Sequence, residues 1–268
     1  MNRIDACFAE LKQQERTALI PYLMAGDPVP GIAVEVMHAM VNAGADLIEL
    51  GVPFSDPMAD GPVIQAASER ALKHNTTIQD VFTLVTSFRA SNQNTPIILM
   101  GYLNPVEVMG YSQFAEAAQQ AGVDGVLTVD LPPEEGSELL SAFSDVDLAP
   151  VFLIAPTTTE ERMPRICKVS RGFVYYVSLK GVTGAAMLDV ASVTKKAAHI
   201  RSFTDLPVGV GFGIKDAETA AEVAKVADAV VVGSAVVKLF AEHEARPENI
   251  APAVVALLRS MREAMDNN

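Results

Sequence analysis

The sequence has few cysteines and no long hydrophobic run. Its two cysteines, Cys7 and Cys167, lack the spacing of a metal site, so we expect free thiols and no bound metal. Charged residues, prolines or glycines interrupt every apolar stretch before about 18 residues, which excludes a membrane-spanning helix. The first residues lack the apolar core of a signal peptide, so we expect a cytoplasmic protein.

Basic residues are also scarce. The chain has 20 Lys and Arg against 33 Asp and Glu, a net charge of -13, and no basic cluster offsets this excess. Such a surface repels phosphate backbones and anionic lipids, which excludes nucleic acid as a partner. Hydrophobic residues make up 50% of the 268 positions, enough to build a sizeable core.

Short apolar runs that predict strands alternate with stretches of helical periodicity along the chain. The predicted strands are residues 18–24, 46–50, 96–101, 125–129, 149–154, 173–177, 207–211 and 229–232. Eight strands with intervening helices over about 250 residues predict an α/β fold, the (β/α)8 TIM barrel, rather than a doubly wound open sheet. We expect an extra N-terminal helix over residues 3–14 and additional helices, within one domain spanning residues 1–268. Residues 102–105 are expected to form a loop after the third strand, and Thr157-Thr158-Thr159-Glu160 is expected to open a helix that ends at Val169.

Three helix-to-strand joints resemble one another. They read Ala43-Gly44-Ala45-Asp46, Ala121-Gly122-Val123-Asp124 and Val226-Ala227-Asp228, and each stands directly before a predicted strand. This similarity supports one repeating structural unit.

The stretch from Glu49 to Gly61 holds three carboxylates in unusual places. Glu49 lies in an apolar run that reads as a buried strand, where a carboxylate is costly unless it is paired, hydrogen-bonded or protonated. Strand alternation puts it on the face of Leu47, which favours the barrel interior. The alternative is a structural acid that caps loop amides. Asp56 and Asp60 follow in a segment rich in Pro and Gly, where turn formation is the simpler explanation for each alone.

Other candidates lie at the carboxyl ends of the predicted strands, where barrel enzymes place their active sites. Asp130 reads as an N-terminal or loop cap, with a direct catalytic role as the alternative, and Tyr102 also stands at a strand end. Tyr175 is preferred over Tyr176 as the ring that enters the barrel. Late glycine-bearing segments, around Gly184, Gly213 and Gly233-Ser234, predict a site for a small phosphorylated substrate.

Two further possibilities carry less weight. Lys180 near a strand end could form a Schiff base with a carbonyl substrate, which would make the protein a different kind of aldolase. The four histidines lie in predicted helices or at a helix end, without metal-ligand spacing.

The run Leu47-Ile48-Glu49-Leu50-Gly51-Val52-Pro53-Phe54-Ser55-Asp56-Pro57-Met58-Ala59-Asp60-Gly61-Pro62 closely resembles the signature of the tryptophan synthase alpha chain family. Similar matches continue through Gly26-Asp27-Pro28, Asn104-Pro105, Gly181 to Gly184 and Gly211 to Ile214. The resemblance implies a (β/α)8 lyase that reversibly cleaves indole-3-glycerol phosphate to indole and glyceraldehyde 3-phosphate. It also implies no cofactor in this chain, and a beta-chain partner that holds pyridoxal phosphate in an α2β2 heterotetramer.

The same resemblance assigns roles to individual residues. Glu49 would be the acid/base, Asp60 would accept the indole N–H, Tyr175 would assist, and Asp56 would serve the partner contact. Phosphate contacts are assigned to Thr183, Gly184, Phe212, Gly213, Gly233 and Ser234. The indole walls are assigned to Tyr22, Met100 and Leu127, with Phe212 beside them. Residues 178–188 resemble a closing lid in which Thr183 meets Asp60.

Two features depart from the family pattern. Tyr22 and Met100 stand where Phe and Leu are common, and Leu179-Lys180 replaces an arginine-containing pair of some members. Two alternatives to a coupled subunit stay open: a stand-alone lyase that releases free indole, and a binding subunit that mainly regulates its beta chain.

Overall fold

A computed structural model of the protein describes residues 2–177, 189–211 and 213–267. In this part of the chain, strands form one parallel sheet. They are β1 (Ala18–Met24), β2 (Ile48–Gly51), β3 (Ile97–Gly101), β4 (Gly125–Thr128), β5 (Ala149–Val151), β6 (Leu153–Ile154), β7 (Val174–Val177), β8 (Val208–Gly211) and β9 (Ala229–Val232).

The sheet curls into a nearly closed barrel. Its order is β5-β4-β3-β2-β1-β9-β8-β7-β6, so both edge strands belong to one short segment of chain. That segment is the single strand predicted over residues 149–154, and the ladder breaks at Phe152. Counted as one strand, β5 and β6 complete eight parallel strands, which confirms the predicted (β/α)8 barrel.

Helices cover the outside of the barrel. They are α1 (Arg3–Gln13), α2 (Ala33–Asn42), α3 (Pro62–Leu72), α4 (Ile78–Arg89), α5 (Leu103–Met109), α6 (Tyr111–Ala121), α7 (Ser137–Asp145), α8 (Met163–Val169), α9 (Val190–Arg201), α10 (Ala217–Ala224), α11 (Ser234–Glu242), a 3₁₀ turn (Pro247–Asn249) and α12 (Ile250–Asp266). None of these helices, within the described ranges, is long and apolar enough to span a membrane.

Two helix starts differ from the sequence prediction. Helix α5 begins at Leu103, where a loop was expected, because the Leu103 amide donates to Asp130 Oδ1 at 2.8 Å and is thereby capped. The predicted role of Asp130 as a cap is thus confirmed, although it caps a helix of the preceding unit. Helix α8 begins at Met163, later than the expected start after Thr157.

Alternation along the strands separates two cores. Leu47, Ile98 and Leu127 pack in the barrel interior, whereas Ile48 and Leu50 belong to the layer between sheet and helices. This confirms the predicted facing of the strand that carries Glu49.

Helix α1 fills the amino end of the barrel. Its residues Ile4 and Phe8 join the interior core, and the Phe8 ring lies 5.7 Å from the ring of Phe173. With that end closed, access to the interior is left to the carboxyl end.

The repeated joints have one physical cause. Asp46, Asp124 and Asp228 each accept a hydrogen bond from a backbone amide that starts the neighbouring strand, at Leu19, Ile97 and Val208, each at 2.8 Å. Each aspartate also pairs with arginine: Arg262 for Asp46, Arg89 and Arg3 for Asp124, and Arg201 for Asp228. These contacts join adjacent strands at the amino end of the barrel, away from the loops at the carboxyl end.

Candidate active site

Glu49 lies on β2 at the carboxyl end of the barrel, beside Tyr22 of β1 and Ile98 of β3. The residue is 2% exposed, and its Oε1 atom has no hydrogen-bond partner among the described residues. Burial, followed by the charge of Asp60, raises the pKa of Glu49 from 4.5 to about 8. The side chain therefore carries its proton at neutral pH, which answers how a carboxyl group is tolerated inside this core.

This raised pKa makes a stability prediction. A group whose pKa is higher in the folded state stabilises the fold fully below its unfolded value and loses that contribution as pH rises through the folded value. Between pH 4.5 and 8, the native unfolding free energy should fall relative to that of Glu49→Gln. As pH rises, the unfolding free energy of the native protein should fall by about 1.4 kcal/mol per pH unit relative to that of the variant. Urea unfolding of both proteins across this range measures it, and parallel pH dependences would contradict it.

Asp60 is held by the residue that follows β3. The Tyr102 hydroxyl donates to Asp60 Oδ2 at 3.1 Å and accepts from the Ala59 amide at 3.0 Å. Burial raises the pKa of Asp60 to about 6, while the hydrogen bond from Tyr102 opposes the rise. Asp60 is consequently ionised at neutral pH under conditions in which Glu49 is protonated.

The loop between β2 and α3 is also fixed at its start. Ser68 Oγ of α3 accepts from the Phe54 amide and donates to the Phe54 carbonyl, both at 2.8 Å. The Phe54 ring stacks on Tyr102 with centroids 5.2 Å apart. Gln65 Nε2 donates to the Asp60 carbonyl at 2.9 Å, so both ends of the loop are tied to α3.

A pocket opens at this point of the barrel mouth. Its lining is Tyr22, Met24, Val52, Phe54, Pro57, Asp60, Ser68, Met100, Gly101, Tyr102 and Val129. The predicted residues Tyr22, Asp60 and Met100 are thus brought together. Leu127 is not in this lining but lies fully buried below it, in register with Met100.

The sequence placed Tyr102 at the carboxyl end of a strand but did not predict its bond to Asp60, and the walls formed by Met24 and Phe54 were not predicted. A signal was present for each. Tyr102 directly follows a strand, and Phe54 belongs to the loop after β2. Met24 lies two residues after Tyr22 on β1 and therefore shares its face of the strand.

Tyr175 faces the barrel interior. Its ring packs against the interior core 6.3 Å from Phe173, whereas Tyr176 belongs to the outer layer, as predicted. A Cβ built on Gly211 would stand 2.2 Å from the Tyr175 hydroxyl, so this position accommodates glycine alone beside the phenol. Burial first, and then Glu49, raises the pKa of Tyr175 far above its ordinary value.

The predicted phosphate residues that the structure describes, Gly213, Gly233 and Ser234, follow β8 and β9, the seventh and eighth barrel strands. Gly213 is exposed with a φ of 80°, Gly233 directly precedes α11, and Ser234 is its first residue. Three of the predicted contacts, Thr183, Gly184 and Phe212, lie outside the described residues, as do Lys180 and the proposed lid.

The surface beside the pocket is apolar in places. Asp56 is exposed and accepts from its neighbour Ser55 at 2.5 Å. Met58 of the same loop is 84% exposed, and Val108 of α5 is 82% exposed. Side chains of this size at such exposure are compatible with a partner contact.

The described residues contain no group of three His, Cys, Asp or Glu arranged to hold a metal ion. His74 and His199 instead contact the Pro28 carbonyl and Glu160, and His38 contacts Ser91. None of these lies in the pocket lining.

A parallel (β/α)8 barrel with a buried and a half-buried carboxyl group at its mouth, both of raised pKa, defines a barrel enzyme of the acid–base type. Residues 8–266 match the family model of the tryptophan synthase alpha chain. The chain belongs to this family of carbon–carbon lyases, whose reaction in tryptophan biosynthesis is the cleavage of indole-3-glycerol phosphate. The family works with a beta chain.

Relatives match over their full length. The chain is 59% identical over 267 residues to the tryptophan synthase alpha chain of Marinobacter nauticus, covering 100% of this chain and 99% of the relative. Identity to that of Thioalkalivibrio sulfidiphilus is 60% over 266 residues, with 99% and 100% coverage.

Solved structures give the same result. Tryptophan synthase subunit alpha from Legionella pneumophila superimposes with a TM-score of 0.93 at 44% identity, covering 100% of both chains. A chain of Mycobacterium tuberculosis tryptophan synthase gives 0.89 at 36% identity, covering 98% of both.

Proposed function

We propose that Glu49 is the one acid/base of the cleavage reaction. The observation that carries this proposal is a buried, protonated carboxyl on a rigid strand at the barrel mouth. Protonated Glu49 gives its proton to C3 of the indole ring, and the resulting carboxylate takes the proton of the glycerol hydroxyl. The C3–glycerol bond then breaks, its electron pair returns to the ring, an aldehyde forms, and Glu49 is protonated again.

Asp60 stabilises the intermediate of this sequence. Protonation at C3 places positive charge on the indole nitrogen, and an ionised carboxylate that accepts the N–H offsets that charge. The different pKa values of Glu49 and Asp60 support these roles, because the donor is protonated while the acceptor is ionised. Tyr175 assists Glu49 from within the barrel.

The remaining site residues bind the two ends of the substrate. Tyr22 and Met100 wall the indole ring, and Leu127 supports this wall from its buried position in register with Met100. Gly213, Gly233 and Ser234 bind the phosphate through backbone amides, together with Thr183, Gly184 and Phe212. The start of α11 after β9 supports this assignment, since the unpaired amides of a helix N-terminus favour anions.

We also infer the setting in which the chain works. Residues 1–268 act as one barrel domain in the cytoplasm, without a cofactor of their own. Two copies join two beta chains that carry pyridoxal phosphate. Asp56 and Met58, exposed in the loop that carries Asp60, support a contact with that partner, as does Val108, which is exposed on α5.

A direct assay tests the function. Mixing the protein with indole-3-glycerol phosphate should release indole, and no indole from folded protein would overturn the proposal. Repeating the assay with a beta chain decides the coupling: a large stimulation supports a coupled subunit, and an unchanged rate refutes it. Borohydride trapping tests the Lys180 alternative, for which a substrate adduct is required.

The two carboxyl groups predict a bell-shaped pH profile. The value of kcat/KM should fall below about pH 6, where Asp60 becomes protonated, and above about pH 8, where Glu49 loses its proton. In Asp60→Asn, kcat/KM should be much lower at every pH, and its fall below about pH 6 should disappear. Initial rates from pH 5 to 10 measure both limbs, and an acid limb retained in Asp60→Asn would contradict its assignment to Asp60.

Tyr102→Phe tests whether the Tyr102 hydroxyl positions Asp60 and lowers its pKa. This change removes the hydroxyl that bonds Asp60 and the Ala59 amide, so kcat/KM should fall about tenfold. The acid limb of the pH profile should move upward, because the hydrogen bond that lowers the pKa of Asp60 is lost. Tyr176→Phe, in the outer layer, is the matched control. An unmoved acid limb would show that Tyr102 has no influence on Asp60.

A further inference from the structure

The Tyr22 hydroxyl has an unusual position in the pocket. Tyr22 lies beside Glu49 in the strand register and is 4% exposed. Its hydroxyl lies over Gly51, where a Cβ would stand only 2.1 Å away, and its side chain lines the pocket together with Asp60. The buried Tyr22 hydroxyl therefore lies at the barrel mouth, in space that is free because Gly51 of β2 has no side chain.

This hydroxyl lacks a strong acceptor. Among the described residues its one hydrogen-bond partner is Met24 Sδ at 3.9 Å, and a thioether sulfur is a weak acceptor. It does not bond Glu49 Oε1, which has no partner in the part of the chain that the structure describes. The contrast with Tyr102 is clear, since that hydroxyl both donates and accepts. The Tyr22 O–H group can therefore exchange its weak bond to the Met24 sulfur for a bond to a ligand at little cost in free energy.

The other polar side chains of the pocket lining, Asp60, Ser68 and Tyr102, are already hydrogen-bonded, and most of the remaining lining residues are apolar. Met24, Val52, Phe54, Met100 and Val129 form walls of the same cavity. A ligand ring held between such walls meets few polar groups, and a single well-placed donor then decides which ring substituents are accepted.

We propose that the Tyr22 hydroxyl donates a hydrogen bond to a substituent on the six-membered ring of the ligand, so that hydroxylated indoles are a further substrate class of this enzyme. This inference rests on the proposed function, which places the indole ring in the pocket. An unsubstituted ring leaves the hydroxyl on the Met24 sulfur and is still accepted. A ring bearing a hydroxyl group gives the phenol an oxygen acceptor in its place.

The reverse reaction provides the test. Condensation with glyceraldehyde 3-phosphate is measured for indole and for indoles hydroxylated at each position of the benzo ring, and kcat/KM of each is divided by that of indole. In Tyr22→Phe this ratio should fall about tenfold at one ring position, the value of one neutral hydrogen bond. In Met24→Leu, which removes the competing sulfur, the ratio at that position should rise.

Tyr102→Phe is the matched control, because it removes a buried phenol hydroxyl that is already committed to Asp60. Tyr102→Phe should lower kcat/KM for indole and for the hydroxyindoles alike, so the ratio between them should stay unchanged. Urea unfolding checks that each variant is folded.

The outcomes separate the two proposals. A ratio unchanged by Tyr22→Phe at every ring position, or no turnover of any hydroxyindole by the native protein, overturns the role of Tyr22. Failure of the native protein to condense indole itself overturns the proposed function instead.

Discussion

Replacing Glu49 by Gln should lower the turnover of indole-3-glycerol phosphate by a factor on the order of 10³ or more. The amide keeps the size of the side chain but can neither release a proton to C3 nor accept one from the glycerol hydroxyl. Both proton transfers are lost together, because one group performs them. The loss should appear mainly in kcat, since Glu49 acts on the reacting atoms and the phosphate and ring contacts are retained.

The matched control is Glu116→Gln on the exposed face of α6, which makes the same chemical change away from the pocket and should keep native turnover. Single-turnover cleavage separates the chemical step from binding, and binding of a phosphate-bearing analogue shows that the site is intact. Near-native turnover in Glu49→Gln would refute the assignment of the acid/base.

Much of the fold could be predicted because its causes are local. Alternation put Leu47 and Glu49 on one face and Ile48 on the other, and the structure has the same separation of interior and outer cores. The repeated aspartate before a strand could be seen as a pattern, although its cause, a bond to the amide of the neighbouring strand, lies in the tertiary structure.

Other features depend on contacts between distant segments. The Leu103 amide at the start of α5 is capped by the carboxylate of Asp130, 27 residues later, and no local pattern predicts this contact. Likewise, Tyr102 meets Asp60 through a loop whose path is set by Ser68 and Gln65 of α3. The placement of Glu49 was predictable from sequence, but the size of its pKa shift depends on how completely the folded barrel excludes water.

Asp124→Ala should lower the unfolding free energy by about 3–5 kcal/mol, the largest stability effect expected here. Asp124 is 3% exposed and binds the Ile97 amide, Arg3 and Arg89 at 2.8, 2.8 and 2.7 Å. Its removal leaves the guanidinium of Arg89, which is 7% exposed, buried without its carboxylate, and leaves a strand amide without its acceptor.

Glu134→Ala is the control for this change, because Glu134 and its partner Arg162 are both exposed and their ion pair should contribute little to the unfolding free energy. Urea unfolding compares the two, and an Asp124→Ala loss no larger than that of Glu134→Ala would contradict the prediction. Adding Arg89→Leu should recover part of the loss, since the buried charge then disappears with its partner. The folded fraction of Asp124→Ala should retain native kcat, because Asp124 belongs to the amino end of the barrel and the proton transfers occur at the other.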